Sequence, residues 1–436
     1  MTDPQPLPRL TAAQAAARLG VKQATLYAYV SRGLLARERT ASGSSFDPLE
    51  IEGFARARTR RSEPRTEAPA AGHAARPAGS PLMVLDTDVA EIADDELFYR
   101  GRPVTELLDR PLGEVAAWLW QSAGDAAEAS AARAASATSS RPLGDAAQTG
   151  AQLLTSDELA AARAAIATLP ADAAVLDRIH VAVLSLAAAD PLRYDASGEG
   201  LRRVGARLLA GIPRALSPAR PDALATASTA ELLWPALTDD EPSAAGIRAL
   251  NAALVLLIDH DLAVSTLAAR VAASARASGY ATVTAALGAF DSPLHGNASR
   301  AAAAMLAQVV AGAAPAAALA AAIRDGGGVP GLGQPLYSGT DARAAALLPL
   351  IGELDGGPAV LAAVDAVVAE VHTRAAQLHP NVDLALAALA LAAGMRPDAG
   401  VAIFAVGRTV GWIAHALAEY EERPLRLRPR GRYVGP

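Results

Sequence analysis

The 436-residue chain carries 39 basic and 45 acidic side chains, and its 52% hydrophobic share includes only 4% aromatics, so alanine dominates the apolar count. That length suits two or three domains, and alanine's high helix propensity and small area point to many closely packed helices and few strands. There is no cysteine, which excludes disulfides, thiolate zinc sites and cysteine nucleophiles.

Residues 1–66 hold 11 Arg+Lys against 6 Asp+Glu, a net +5, and the remainder holds 28 against 39, a net −11. A basic head on an acidic body implies two parts with different partners. The start, MTDPQPLPRL, lacks the basic and apolar regions of a signal peptide. Ala13, Ala16, Ala17 and Leu19 predict one face of a short helix capped by Thr11. Gly20 ends it in a sharp turn. A second helix from Gln23 is expected to carry Leu26, Tyr27 and Val30 inward and to stop near Gly33. Two short helices around a glycine turn resemble the start of a MerR-type winged helix-turn-helix domain, assigned to residues 1–61. The resemblance implies a wing at 37–46 and a third helix at 48–58. It also implies a second helix facing the DNA major groove, with Lys22, Gln23, Thr25, Tyr29 and Arg32 as contact candidates. A retained fold that docks a partner without binding DNA is the competing use. Residues 62–80, rich in Pro, Ala, Gly and Ser without periodicity, predict a flexible linker.

From residue 81 the pattern becomes ordered. LDTDVAEIADDELFYRGRPVTELL predicts short alternating segments and then a helix from about Pro103, and the alanine-dominated 121–170 stretch predicts further helix. The longest apolar run, Ala301 to Ile323, is mostly alanine and contains Pro315. It predicts a buried helical hairpin rather than a membrane span, so the chain is expected to be soluble and cytoplasmic, without membrane contact.

Four later patches carry chemistry. In Asp259-His260-Asp261, followed by Ser265 and Thr266, an apolar helix runs into an acid-His-acid triplet; alone, this reads most simply as a hydrogen-bonded structural histidine. In Asp291-Ser292-Pro293-Leu294-His295-Gly296, proline and glycine shape a loop around a histidine near a helix start, where a neutral imidazole is favoured. Gly326 to Tyr337 is a glycine-rich loop containing Gln334, which by itself requires only turns. In His379-Pro380-Asn381-Val382-Asp383, an aspartate precedes the apolar helix LALAALALAAGM, and alone it reads as a helix cap.

Taken in order, with Tyr99-Arg100-Gly101, Gly407-Arg408-Thr409-Val410-Gly411-Trp412 and the Arg428 to Pro436 tail, these patches resemble the citrate synthase family over residues 81–436. The resemblance implies an all-α fold with large and small helical domains (the small one at roughly 296–390), preceded by the small winged helix-turn-helix domain. It assigns Asp383 as catalytic base, His295 as hydrogen-bond donor to the thioester oxygen, and Gln334 to the place of a histidine at the ketone oxygen. His260, Arg343, Arg408 and Arg428 fall on substrate-carboxylate positions, and Val329, Pro330, Gly331 and Gly333 on the coenzyme A loop. The implied reaction condenses acetyl-CoA with oxaloacetate to citrate. It needs no metal or redox cofactor, because the coenzyme A thioester is itself a substrate. The resemblance also implies domain closure and a homodimer with shared active sites, Arg428 serving the partner subunit. A glutamine amide donates a neutral hydrogen bond where a histidine could become cationic, a difference of about 10²–10³ in rate. Ser299, which replaces an asparagine, and Leu384, Ala385 and Leu386, which replace the usual aromatic and serine residues, are further departures. Three alternatives stay open: 2-methylcitrate synthase using propionyl-CoA, a DNA-binding regulator that senses these ligands, and a scaffold for an active paralogue.

Overall fold

The computed structural model describes residues 9–40, 43–61, 84–121, 145–217, 227–293, 295–326 and 328–435. The expected linker at 62–80 lies outside them, as do residues 122–144 of the expected helical stretch, Leu294 and Gly327. The chain forms two compact units: Met1–Asp86 with Ala298–Ala392, and Thr87–Asn297 with Ala393–Pro436.

In the head, Thr11 accepts from the Gln14 N–H while the Gln14 side chain accepts from the Thr11 N–H, a reciprocal cap that starts α1 (Ala12–Arg18). Gly20, at φ +61°, ends it. α2 (Gln23–Ser31) follows, then β2 (Glu38–Thr40), β3 (Gly43–Phe46) and α3 (Pro48–Arg61). With β1 (Leu10–Thr11) the strands form an antiparallel sheet in the order β1-β3-β2. Leu10, Ala15, Ala16, Leu19, Leu26, Leu35, Phe46 and Ile51 make the core. The α1 face therefore differs from the expected one: Ala15 is buried, whereas Ala13 and Ala17 are exposed. In a run of alanines hydrophobicity carries no phase, and the position of the cap decides it. On α2, Tyr27 is exposed, and Tyr29 packs its ring 4.9 Å from Phe54. Tyr29, one turn from Leu26, shares its face, whereas Tyr27 is rotated by about 100°.

The second unit opens with a second antiparallel sheet, β4 (Ala90–Ala93), β5 (Glu96–Tyr99) and β6 (Arg102–Pro103). Its two tight turns place Asp94 and Asp95, then Arg100 and Gly101, at positive φ, as two-residue hairpins require. The all-α expectation is thus corrected by two small sheets, the second built around these turns. A single 3-10 turn (Val104–Leu107) precedes α4 (Leu112–Leu119), and the helices continue as α5 (Ala146–Gln152), α6 (Ser156–Ala167), α7 (Val175–Ala189), α8 (Gly198–Leu216), α9 (Thr229–Leu237), α10 (Ala244–Leu256), α11 (Val264–Ser274) and α12 (Gly279–Phe290). Serine and threonine caps start many of them, including Thr155, Ser197, Ser228, Ser243 and Ser278.

The chain then enters the first unit with α13 (Ala298–Val310), α14 (Pro315–Gly326), α15 (Ala342–Ile351), α16 (Gly357–His372) and α17 (Val382–Ala392), and returns to the second with α18 (Ala399–Glu421). The apolar run 301–323 is split at Gly312 and Pro315 between α13 and α14, which pack together. α18 is long and apolar enough to cross a membrane, but 89% of its most apolar window is buried in the protein. Its packing depends on small residues: a Cβ at Gly411 would overlap the Ile258 carbonyl, and one at Gly407 would approach the Leu254 carbonyl at 2.6 Å.

Candidate active site

In the first unit, two loops are laced together. The Gly333 N–H donates to the His379 carbonyl (2.7 Å) and the Asn381 N–H to the Gly331 carbonyl (3.0 Å). The Asn381 amide donates to the Gly333 carbonyl at 2.9 Å. Gly331 sits at φ +74° with its α-carbon against Leu384, so a side chain would be both strained and 2.8 Å from the Leu384 Cβ. The glycine-rich loop containing Val329, Pro330, Gly331 and Gly333 is thereby fixed against the start of α17.

Asn381 caps that helix, its Oδ1 accepting from the N–H groups of Asp383 (3.0 Å) and Leu384 (3.3 Å). Asp383 is therefore released from the capping role that its sequence position suggests. Its Oδ1 is buried and makes no hydrogen bond among the described residues. Burial raises its carboxyl pKa to about 6; nearby Arg343 opposes the rise and Asp341 adds to it. Asp341, which the sequence reading missed, is fully buried and holds Arg343 side-on, with Nε to Oδ1 at 3.0 Å and Nη2 to Oδ2 at 2.7 Å. The Val382 N–H also donates to Asp341 Oδ2 (3.2 Å), tying this pair to the helix that carries Asp383. The pairing engages two of the five N–H groups of Arg343. Gln334 is half-buried, and its Oε1 accepts weakly from the Leu336 N–H at 3.5 Å. Its amide nitrogen has no hydrogen-bond partner among the described residues, which leaves it as a donor.

In the second unit, the Tyr99 hydroxyl plugs the end of α10. It donates toward the Val255 carbonyl at 3.0 Å and accepts from the Asp259 N–H at 3.3 Å. Asp259 is 1% exposed and joins Arg408 Nη1 (3.4 Å) to His415 Nε2 (2.9 Å). His415 is thus buried and bonded, a partnership that its helical sequence context did not reveal. Arg408 also donates from Nε to the Leu257 carbonyl at 2.8 Å and lies over the Phe404 ring. His260 follows Asp259 and is buried, and Asp261 makes the turn at φ +58°.

His295 stands edge-on to Phe290 and Phe404, with ring centroids 5.1 and 5.7 Å away. Gly296 is needed beside it, because a Cβ would come within 2.5 Å of the Phe290 ring and carbonyl. Ser265 stands in the first turn of α11, whose cap position is Ala263 without a side-chain cap, so its hydroxyl does not cap the helix. Instead the Ser265 hydroxyl meets His295 Nε2 at 2.7 Å and accepts from Trp412 Nε1 at 3.3 Å. The indole can only donate, so the serine oxygen accepts there, and the tautomer of His295 sets which partner donates in the Ser265–Nε2 contact. Phe404 links His295 to Arg408, so this unit brings those two expected residues together with His260 on the adjoining segment. Arg428 lies apart on the exposed tail, and Arg426 is instead the tail residue paired with buried Glu419. In the head, Lys22, Gln23, Thr25 and Arg32 are exposed, and Tyr29 is half-buried.

A family model described as the citrate synthase C-terminal domain matches residues 80–430. Citrate synthase 2 of Bacillus subtilis is 34% identical over 204 residues, 46% of this chain and 54% of that protein. The 2-methylcitrate synthase 2 of Corynebacterium glutamicum is 27% identical over 288 residues, 62% of this chain and 74% of that one. The chain thus spans about half the length of the Bacillus relative and of several other curated citrate synthases. The fold is similar to the Thermoplasma acidophilum citrate synthase solved with carboxymethyl coenzyme A and oxaloacetate. The TM-score is 0.63, with 23% identity, 81% of this chain and 94% of that one covered.

Proposed function

Because the chain belongs to the citrate synthase family, we propose that it condenses acetyl-CoA with oxaloacetate to release citrate and coenzyme A. Asp383 removes a methyl proton from the thioester while His295 donates to its carbonyl oxygen, which holds the enol. The enol carbon attacks the oxaloacetate ketone, whose oxygen takes a hydrogen bond from Gln334. His260, Arg343, Arg408 and Arg428 receive the carboxylates, Arg428 reaching the partner subunit's site in a homodimer. Guanidinium forks suit this task. Water then hydrolyses the citryl thioester.

The observation that carries this reading is Asp383: a half-buried residue whose carboxylate Oδ1 is buried and unbonded among the described residues, with its pKa raised to about 6. A proton acceptor of that strength, poised just below neutral pH, is suited to general-base work. The protein is proposed to work in the cytoplasm. The test is free-thiol release by the purified chain with oxaloacetate plus acetyl-CoA, then propionyl-CoA, using Asp383→Asn as the blank. Release above the blank supports a synthase, and the ratio of the two thioesters decides between citrate and 2-methylcitrate. No release with either thioester would refute the reading.

A second reading concerns the head. Its two helices, three-stranded sheet and third helix, with Lys22, Gln23, Thr25 and Arg32 exposed at α2, favour a MerR-type winged helix that contacts DNA.

A further inference from the structure

We propose that the head regulates acyl-CoA binding from within the chain, by resting on the laced loops from which Gln334 and Asp383 emerge. The proposal depends on the reading of residues 329–333 as the coenzyme A loop. The head lies outside the stretch matched by the family, residues 80–430, so this contact is an addition to the shared fold.

Two glycines mark the seats. A Cβ at Gly328 would overlap the Arg18 guanidinium, so Arg18 at the end of α1 covers bare backbone where the glycine-rich loop begins. On α3, a Cβ at Gly53 would overlap the Gln377 amide, so Gln377 covers bare backbone of the head in turn. Arg18 is paired with Glu52, the neighbour of Gly53, which joins both seats through α1 and α3. Gln377 lies two residues before His379, whose carbonyl accepts from the Gly333 N–H, and His372 Nε2 meets the intervening Leu378 carbonyl at 3.0 Å. A displacement at either seat is therefore passed directly into the hydrogen-bonded loops. With the seats occupied, the loop is held and its backbone is partly covered, which opposes its approach to the thioester. A macromolecule that draws the head away would relieve this restraint, and acyl-CoA would in turn weaken the seat.

The absence of native cysteine makes the contact directly measurable. The full-length variant carrying Gly53→Cys and Gln377→Cys is treated with a short bis-maleimide, and the product is mapped by peptide mass spectrometry. The same chain carrying Gly53→Cys and Arg248→Cys serves as control. Acetyl-CoA affinity is read by calorimetry on the parent, the cross-linked chain and Arg18→Ala, which needs no turnover. The expected results are an intramolecular cross-link well above the control, acetyl-CoA binding about fivefold weaker once linked, and binding about fivefold tighter in Arg18→Ala. A parent that binds acetyl-CoA but shows no specific cross-link, or equal affinities in all three proteins, would overturn the regulatory seat alone. A parent that does not bind acetyl-CoA would overturn the coenzyme A loop reading and this proposal together.

Discussion

Asp383 combines a position in the first turn of an apolar helix with an oxygen that nothing in the described structure hydrogen-bonds. Its pKa lies above the unfolded value of 3.8, so the native state holds this proton more tightly than the unfolded chain. Between about pH 4 and pH 6 the native state carries the extra proton. Stability from this group therefore falls as pH rises through that window, and the full cost remains above it. Asp383→Asn is expected to abolish thiol release yet raise stability at pH 7.5 by up to about 2–3 kcal/mol, with little effect below pH 4. Denaturant titrations at the two pH values check this; equal effects at both would mean that ionisation is not the cause. Gln334 poses the opposite question, whether a neutral donor suffices at the ketone. Gln334→His should hold or increase kcat, by up to about 10²–10³ if the imidazolium forms. A severe loss in steady-state kinetics would show a site built around the amide.

At the scale of elements, the Asp341–Arg343 pair ties α15 to the start of α17. Removing its acid leaves a guanidinium buried at 3% exposure without its counter-charge. Asp341→Ala is expected to cost about 3–5 kcal/mol in chemical denaturation, and to shift the pH dependence of the Asp383 step because both charges bear on it. The crossing of α18 over the segment after α10 also tolerates little change. Gly411→Ala should lower stability by about 1–3 kcal/mol, since the Cβ would meet the Ile258 backbone rather than a side chain that can move. These elements also show what was legible in the sequence. Motifs with a fixed residue pattern, such as Tyr99-Arg100-Gly101 and Asn381-Val382-Asp383, marked the turns and loops. Thr11 and Gly20 bounded α1. The phase within alanine runs was not legible, because alanine differs little between exposed and buried faces. Nor were the partners Asp341, Asp259 and Ser265, whose value depends on residues up to 156 positions away.

For the whole molecule, charge separates the two proposed activities. The chain is net −6, yet its first 66 residues are net +5. Affinity for a polyanion must therefore come from the head and be sensitive to ionic strength, because the acidic remainder opposes it at long range. If Lys22, Arg32, Arg37 and Arg39 engage about four phosphates, affinity for duplex DNA should fall about 10²-fold between 50 and 200 mM salt. Lys22→Ala should reduce the slope of log K against log salt by about one, uniformly across sequences, whereas Gln23→Ala should act on sequence preference. Fluorescence anisotropy with labelled duplexes reads both. Linkage adds a sharper consequence. If DNA draws the head from its seat on the loops, acetyl-CoA must strengthen DNA binding by the same factor by which DNA strengthens acetyl-CoA binding. Equal DNA affinity with and without saturating acetyl-CoA would separate the head from the catalytic body energetically, whatever each does alone.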